Sequence, residues 1–375
     1  MGIARRGATE LTLARRVHVR HVSPTRVIAA LAAGIVTVSL VGVGVASAAP
    51  VAPEPSVSYY LTTAPDSEVC DMGRLTGAGQ TANTIDYDAF VFLHFFAPVR
   101  FANGDYGGSR GTAGAPQRIS GVTGPNATGI ELTLQRFANC YANNNPSGST
   151  VKIVAGVTND RVNDPIESVT SGHGRAWGNL IVRMNNWAAN QGLASQVSFN
   201  GGMDAEEGLA NNMNQIQNWE TGYRVQNGNW NLFFYGGAAG CPSDKDPNNT
   251  CNFPANDLIG ISWSLGEVTP FPQIYDEEPP EADPPTSVNA QQWQRLSKRS
   301  YNNGTTRMNF SGGLSQFESC KGRETDPDCL GLDLRPKESW RDLWDEINCT
   351  YDGGAPCPTQ DDLRWTTSIS DDQLV

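Results

Sequence analysis

Two hydrophobic periods alternate along the chain. Val57-Ser58-Tyr59-Tyr60-Leu61 has the composition of a strand, and 89–97 is a nearly continuous apolar run, the mark of a strand buried on both faces of a parallel sheet. Further strands are predicted at 151–157, within 197–208, and at 230–237, 258–263, 272–275 and 307–313. Between them lie segments of helical spacing. One runs over 129–142 on Ile130, Leu132, Leu134 and Phe137, and another over 174–191 on Trp177, Leu180, Ile181, Met184 and Trp187. Others fall at 212–224, 288–301 and 335–347, while the connections after the first, fifth and sixth strands read as weak or missing helices. Strands alternating with helices imply parallel pairing and right-handed crossovers, and eight of them favour a (β/α)8 barrel of α/β class. An open doubly wound sheet is the alternative.

This pattern starts only after the first fifty or so residues. Six arginines (5, 6, 15, 16, 20 and 26) precede an apolar segment at 27–45, and Ala46-Ser47-Ala48 fits a small-residue cleavage site. Residues 1–48 are therefore expected to be a signal peptide, with an uncleaved membrane anchor as the rival reading. Residues 49–56 would be a linker, 57–350 the barrel and 351–375 a C-terminal tail. The whole chain carries −12; residues 1–48 hold six Arg and one Glu, a net of +5, so the exported part carries −17. Such a surface repels nucleic acid and anionic membranes, so neither is expected as a partner.

All eight cysteines lie beyond residue 48, as expected of disulfides in a secreted protein. Sequence alone leaves their connectivity open. Three pairs are local, Cys241 with Cys251, Cys320 with Cys329 and Cys349 with Cys357, which leaves Cys70 with Cys140. No Cys-x-x-Cys occurs, and beyond residue 48 the histidines are His94 and His173, so no metal site or cofactor is expected. His94 shares a strand face with Phe92 and Phe96 and reads as a core histidine; His173 reads as part of a helix-start loop. No Gly-x-Ser-x-Gly elbow is present, which speaks against a serine hydrolase.

The fourth strand carries the candidate chemistry. Along Val197-Ser198-Phe199-Asn200-Gly201-Gly202-Met203-Asp204-Ala205-Glu206, strand alternation puts Asn200, Gly202, Asp204 and Glu206 on one side and Val197, Phe199 and Met203 on the other. Two acids then reach the C-terminal end of a barrel strand, where barrel active sites are built. One carboxyl beside another can hold a proton that a lone one would lose, which is what protonating a glycosidic oxygen requires. Asp160 after the third strand and Glu267 after the sixth are further candidate carboxylates. Trp263, Tyr235 and Tyr275, near predicted strand ends, are candidate platforms for sugar rings.

The Asp-x-Glu at 204–206 resembles that of secreted bacterial (β/α)8 glycoside hydrolases of the chitinase-like or muramidase-like kind. Gly-Gly-Ala-Ala-Gly-Cys-Pro after strand five, Pro-Gln-Ile-Tyr at strand seven and Gly-Gly-Leu-Ser after strand eight look like the same group, many of whose members have no assigned activity. The chain departs from the chitinase pattern, having Phe199 and Gly202 where that pattern has further aspartates. The resemblance implies an extracellular protein acting on a polysaccharide or cell-wall glycan, with Glu206 as general acid and Asp204 as its partner. The alternative it leaves open is a non-catalytic glycan-binding or surface-interaction protein that keeps the barrel.

Overall fold

A computed structural model describes residues 50–61, 66–82, 88–109, 117–120, 129–145, 148–158, 168–206, 209, 212–238, 240–242, 251, 253–264, 268–275, 287–323, 325–326, 329, 331–332, 334–348, 360 and 363–371. The expected signal peptide therefore lies outside the described residues, as do Asp160, Glu267 and the expected Cys349–Cys357 pair.

Eight parallel strands form one sheet: β1 (Ser56–Tyr60), β2 (Ala89–His94), β6 (Val151–Val157), β7 (Val197–Met203), β8 (Leu232–Phe234), β9 (Val268–Pro270), β10 (Gly312–Ser315) and β11 (Trp365–Asp371). Their spatial order is their chain order, with β11 pairing on one side with β10 and on the other with β1. The remaining gap, between β9 and β10, is bridged at Gln273 and Leu314, where the Leu314 N–H donates to the Pro272 carbonyl (2.9 Å) and the Ile274 N–H to the Leu314 carbonyl (2.8 Å). The fold is a (β/α)8 barrel.

Side-chain alternation divides the sheet's apolar residues into two layers. Phe90, Phe92, Val154, Phe233, Tyr235, Phe271, Leu314 and Ile369 pack together inside the ring. Their neighbours in sequence, Val91, Leu93, Ile153, Ala155, Leu232 and Phe234, join the larger layer between strands and helices. At the N-terminal end of the interior the Lys152 ammonium lies over the Trp365 ring (4.7 Å) and the Phe233 ring (5.5 Å). Its pKa is lowered, by burial first and by Arg364 second.

The helices are α1 (Asp66–Ala82), α2 (Ile130–Asn143), α3 (Ser171–Asn190), α4 (Met213–Gln226), α5 (Ala255–Ile259), α6 (Val288–Asn302), α7 (Phe317–Cys320) and α8 (Pro336–Ile347). Thr170 caps α3 by accepting the His173 N–H, and Asn212 caps α4 by accepting the Gln215 N–H. Disulfides join Cys70 to Cys140, Cys241 to Cys251 and Cys320 to Cys329, as three of the expected pairs require. Among the described residues no helix is long and apolar enough to cross a membrane.

Several expectations are corrected: 272–275, expected as the seventh strand, makes only the isolated bridge at Gln273, and the strand expected over 307–313 begins only at Gly312. The run at 258–263 is not a strand: α5 continues directly into a π-helical turn at Gly260–Ser264, and the sixth strand comes later, at Val268–Pro270. A short apolar run fits either period, and here Leu258, Ile259 and Ile261 are buried by helical packing. The connection after β1 is not weak but a 17-residue helix, α1. Finally, 351–375 is not simply a tail, because β11 sits between β10 and β1 and completes the barrel. Thr366, Thr367 and Ser368 disguise it: the Thr367 hydroxyl donates to the Ser56 carbonyl (3.0 Å) and meets the Ser58 hydroxyl at 2.9 Å.

After β2 the chain makes a small antiparallel sheet of β3 (Ala97–Arg100), β4 (Tyr106–Ser109) and β5 (Gln117–Arg118). His173, expected in a loop, is instead buried in the first turn of α3 and ties that sheet to the helices. Its Nε2–H donates to the Gly107 carbonyl (2.8 Å), and its Nδ1 accepts the Trp219 indole N–H (2.8 Å), the tautomer this network requires. Stacked on Trp177, it satisfies both nitrogens only when neutral. Burial lowers its pKa from 6.5 to about 4, the Gly107 bond partly opposing.

A folded value below the unfolded one contributes stability that is complete above the unfolded pKa and lost as pH falls through the folded one. Relative to His173→Gln, the wild type is therefore expected to lose on the order of 3 kcal/mol between pH 7 and pH 4. Melting both proteins across that range checks this. The difference isolates His173, since the buried acids Asp204 and Glu220, whose pKa values are raised, act in the opposite direction.

Candidate functional site

The mouth at the C-terminal ends of β1, β2, β7 and β8 is shaped by one large side chain. Tyr235 follows β8 and leans across the barrel interior, its hydroxyl donating to the Val157 carbonyl at 3.0 Å. Gly156 and Gly202, paired across β6 and β7, make room for it. A Cβ on Gly156 would lie 2.1 Å from the Tyr235 hydroxyl oxygen, and one on Gly202 would lie 2.8 Å from the ring. His94 meets the Tyr235 ring edge-on at 4.9 Å and Tyr60 at 4.7 Å. It is fully buried, neither ring nitrogen has a hydrogen-bond partner among the described residues, and burial lowers its pKa from 6.5 to about 3. It is the expected core histidine, neutral and enclosed by aromatic rings, but not a satisfied one, since its nitrogens make no hydrogen bond among the described residues.

Above this floor β7 delivers its two acids. The Asp204 N–H donates to the Val157 carbonyl (2.8 Å), extending the β6–β7 ladder by one step so that the side chain points to the mouth. Asp204 is only 3 % exposed, and its Oδ1 accepts the Gln273 side-chain N–H at 3.1 Å. Its pKa is raised well above 3.8, by burial first and by the nearby Glu206 charge second, with the Gln273 bond opposing. Glu206 is half-buried, and its Oε1 accepts the Gly237 N–H at 3.1 Å.

The same electrostatics bring in two tyrosines. Tyr235 ionises well above its usual value because of burial, then Asp204, Tyr60 and Glu206. Tyr275, half-buried, is also raised, by burial and then by Tyr60, Asp204, Glu206 and Tyr235. Its N–H donates to Asn289 on α6. The described mouth thus gathers Asp204, Glu206, Tyr235 and Tyr275 from the sequence-derived candidates.

Trp263 is placed elsewhere. It lies on the π-helical turn and packs against the layer between barrel and helices, so the strand end on which its expected role rested does not exist. Tyr60, His94 and Gln273 join the site without having been assigned to it from sequence. For Gln273 a signal was present: an amide between Pro272 and Ile274 in an otherwise apolar run has to find a buried partner. The arrangement is a proton-holding acid pair set in an aromatic surround. It can donate a proton to a bound oxygen atom or accept hydrogen bonds from a hydroxylated ligand.

No family model matches the chain, and no curated protein matches it. One solved structure it is similar to is a glycoside hydrolase family 5 protein from Bacteroides vulgatus ATCC 8482, at 11 % identity and a TM-score of 0.31. That similarity covers 70 % of this chain and 59 % of the other, so the chain spans less than two thirds of that protein's length. The assignment of the fold rests on the strand order and register described above.

The glycine pair gives a direct test of the mouth's construction. Gly156→Ala is expected to cost about 1–3 kcal/mol by overpacking against Tyr235. Adding Tyr235→Phe removes the atom that the new methyl meets first. A chemical-denaturation cycle should therefore show the double variant less destabilised than the sum of the two singles.

Proposed function

We propose that the chain is an extracellular glycoside-hydrolase-like protein that binds a polysaccharide or cell-wall glycan in the barrel mouth and cleaves it with Glu206 as general acid. The observation that carries this reading is the pairing of Asp204 with Glu206 at the end of β7. Burial and the neighbouring charge hold the Asp204 carboxyl protonated beyond the usual range. The pair therefore retains a proton at a pH where two isolated carboxyls would have lost theirs.

Glu206 is the more exposed member and the one able to meet a glycosidic oxygen. Its Oε1 is oriented by the Gly237 N–H. Asp204, held by Gln273, supplies the adjacent proton store and sets the orientation of Glu206. Glu206 passes the one proton that the pair holds to the leaving oxygen, and the charge it gains is stabilised by the Gly237 N–H. Activation of water or another nucleophile falls to a further carboxylate, for which Asp160 and Glu267 are the candidates. Tyr275 and Tyr60 offer ring faces to the sugar. Export through an N-terminal signal at 1–48 fits the three disulfides, which persist in oxidising compartments.

Hydrolysis of soluble peptidoglycan and of chitin-type oligosaccharides by the full chain, measured beside Glu206→Gln, tests the assignment. A fall in kcat of roughly a hundredfold or more is expected; equal turnover in both proteins would sink it. Saturable glycan binding with no turnover in either protein would instead establish the non-catalytic reading.

Asp204→Asn keeps an acceptor for Gln273 but cannot ionise. A raised folded pKa contributes stability that is complete below the unfolded value, 3.8, and lost as pH rises through the folded one. Asp204→Asn should therefore gain in melting temperature over the wild type as pH rises from 4 towards 8. A constant difference across that range would show that Asp204 is not the buried proton holder.

A further inference from the structure

The stagger of the barrel locates a residue for the step that Asp204 and Glu206 leave open. From Gly202 on β7 the register runs to Gly156 on β6, His94 on β2, Tyr60 on β1 and Asp371 at the end of β11. Continued through the pairings of β11 with β10, of Leu314 with Gln273, of β9 with β8 and of β8 with β7, it returns to β7 eight residues beyond Gly202. Eight is the shear of a (β/α)8 barrel. Asp371 is reached halfway round the ring, on the strand diametrically opposite β7. It therefore stands at the height of the β7 position four residues beyond Gly202, and that position is Glu206.

The layering of the interior agrees with this placement. In such a barrel, residues on alternate strands share a level. The same stagger puts His94, Asp204, Gln273 and Ile369 in one layer, and the hydrogen bond from Gln273 to Asp204 (3.1 Å) joins two of its members. Ile369 packs inside the ring, and alternation along β11 sets position 371 on the same face. Two residues further along these segments, the next layer holds Glu206, Tyr275 and Asp371. Glu206 and Tyr275 are half-buried at the mouth, and after burial Glu206 is among the groups that raise the Tyr275 pKa.

An acid that protonates the leaving oxygen is half of a glycosidase; the other half is a carboxylate on the far side of the sugar ring. A residue on a neighbouring strand lies beside the acid pair, whereas one on the opposite strand has the width of the mouth between it and Glu206. That favours the wider spacing of the two carboxyls, roughly 6.5–9.5 Å against ~5 Å, which leaves room for a water. We propose that Asp371 is the general base of this reaction and that hydrolysis inverts the anomeric carbon. The assignment rests on the reading of Glu206 as general acid. The Asp371 carboxylate takes a proton from water, whose oxygen bonds to the anomeric carbon. On the opposite face the bond to the leaving oxygen breaks, and that oxygen takes the Glu206 proton. Asp371 then loses its proton to solvent and Glu206 regains one, so one water is consumed per bond cleaved.

Turnover of soluble peptidoglycan, chitin-type oligosaccharides and 4-nitrophenyl chitobioside by the full chain, disulfides intact, tests this. On every substrate that the wild type cleaves, Asp371→Asn should lower kcat by roughly a hundredfold or more and remove the acid limb of the pH profile. The nitrophenolate leaves without a proton, so Glu206→Gln should recover most of its loss on that substrate while Asp371→Asn does not. Azide added to Asp371→Ala should restore turnover as a glycosyl azide, which also shows that the variant is folded. Proton NMR of the first product of the wild type, which needs no variant, should show the inverted anomer. Full turnover by Asp371→Asn, or a product of retained configuration, in a protein that Glu206→Gln inactivates would overturn this assignment alone. A wild type inactive on all three substrates would overturn the Glu206 reading and this one with it.

Discussion

The mouth of this barrel depends on a steric exchange between three residues. A barrel interior has to be filled, because its strands leave space that water cannot profitably occupy. Here the uppermost filler is Tyr235, and it fits because Gly156 and Gly202 offer no side chain at the level where its ring lies. The same glycines deny β6 and β7 an apolar plug of their own. The next inward position on β7 therefore belongs to Asp204, just above the ring and at the point where the interior opens. Tyr60 and His94 complete the floor, so the acids stand on an apolar aromatic surface that raises the cost of charge above it.

The outer layer follows a related rule, that backbones approach closely where side chains are small. Gly73 and Gly77 on α1 lie against the backbone of α2 near Phe137 and Tyr141, and the Cys70–Cys140 disulfide joins the same pair of helices. On α3, Gly174 and Gly178 meet the α4 backbone near Trp219 and Tyr223, while Gly222 returns the approach to Ser171. His173 extends this seam to the small sheet after β2. That sheet is thereby tied to the helix layer as well as to the strand that precedes it.

Such close approaches explain which parts of the fold were legible in sequence. β2, β6 and β7 announced themselves as long apolar runs, and α2, α3, α4, α6 and α8 by large residues at helical spacing. α1 escaped because its contact with α2 is made through glycines, which carry no periodic apolar signal. β11 escaped because its inward and outward positions are largely Thr and Ser, whose hydroxyls bond to β1 and to the start of α8 and so substitute for apolar packing. α5 was mistaken for a strand because a few apolar residues fit both periods. Within the site, alternation placed Asp204 and Glu206 correctly, since it is a property of the backbone alone. Gln273 and Tyr60 could not be placed that way, because their nearness to Asp204 exists only once the ring closes.

Closure also explains why Gln273 is suited to its place. The β9–β10 junction is the weakest in the ring, held by a bridge and a few backbone hydrogen bonds. A charged partner for Asp204 at that point would have left an ion pair next to a thin seam, with a desolvation cost that such pairs often fail to recover. A lysine or arginine would also have pulled the Asp204 proton off and removed the acid pair's distinguishing property. An amide holds the carboxyl through one N–H and lowers its pKa by less than burial and Glu206 raise it. The neutral partner thus fixes the position of Asp204 while leaving its proton in place, and the residue that orients the pair belongs to the junction that closes the barrel.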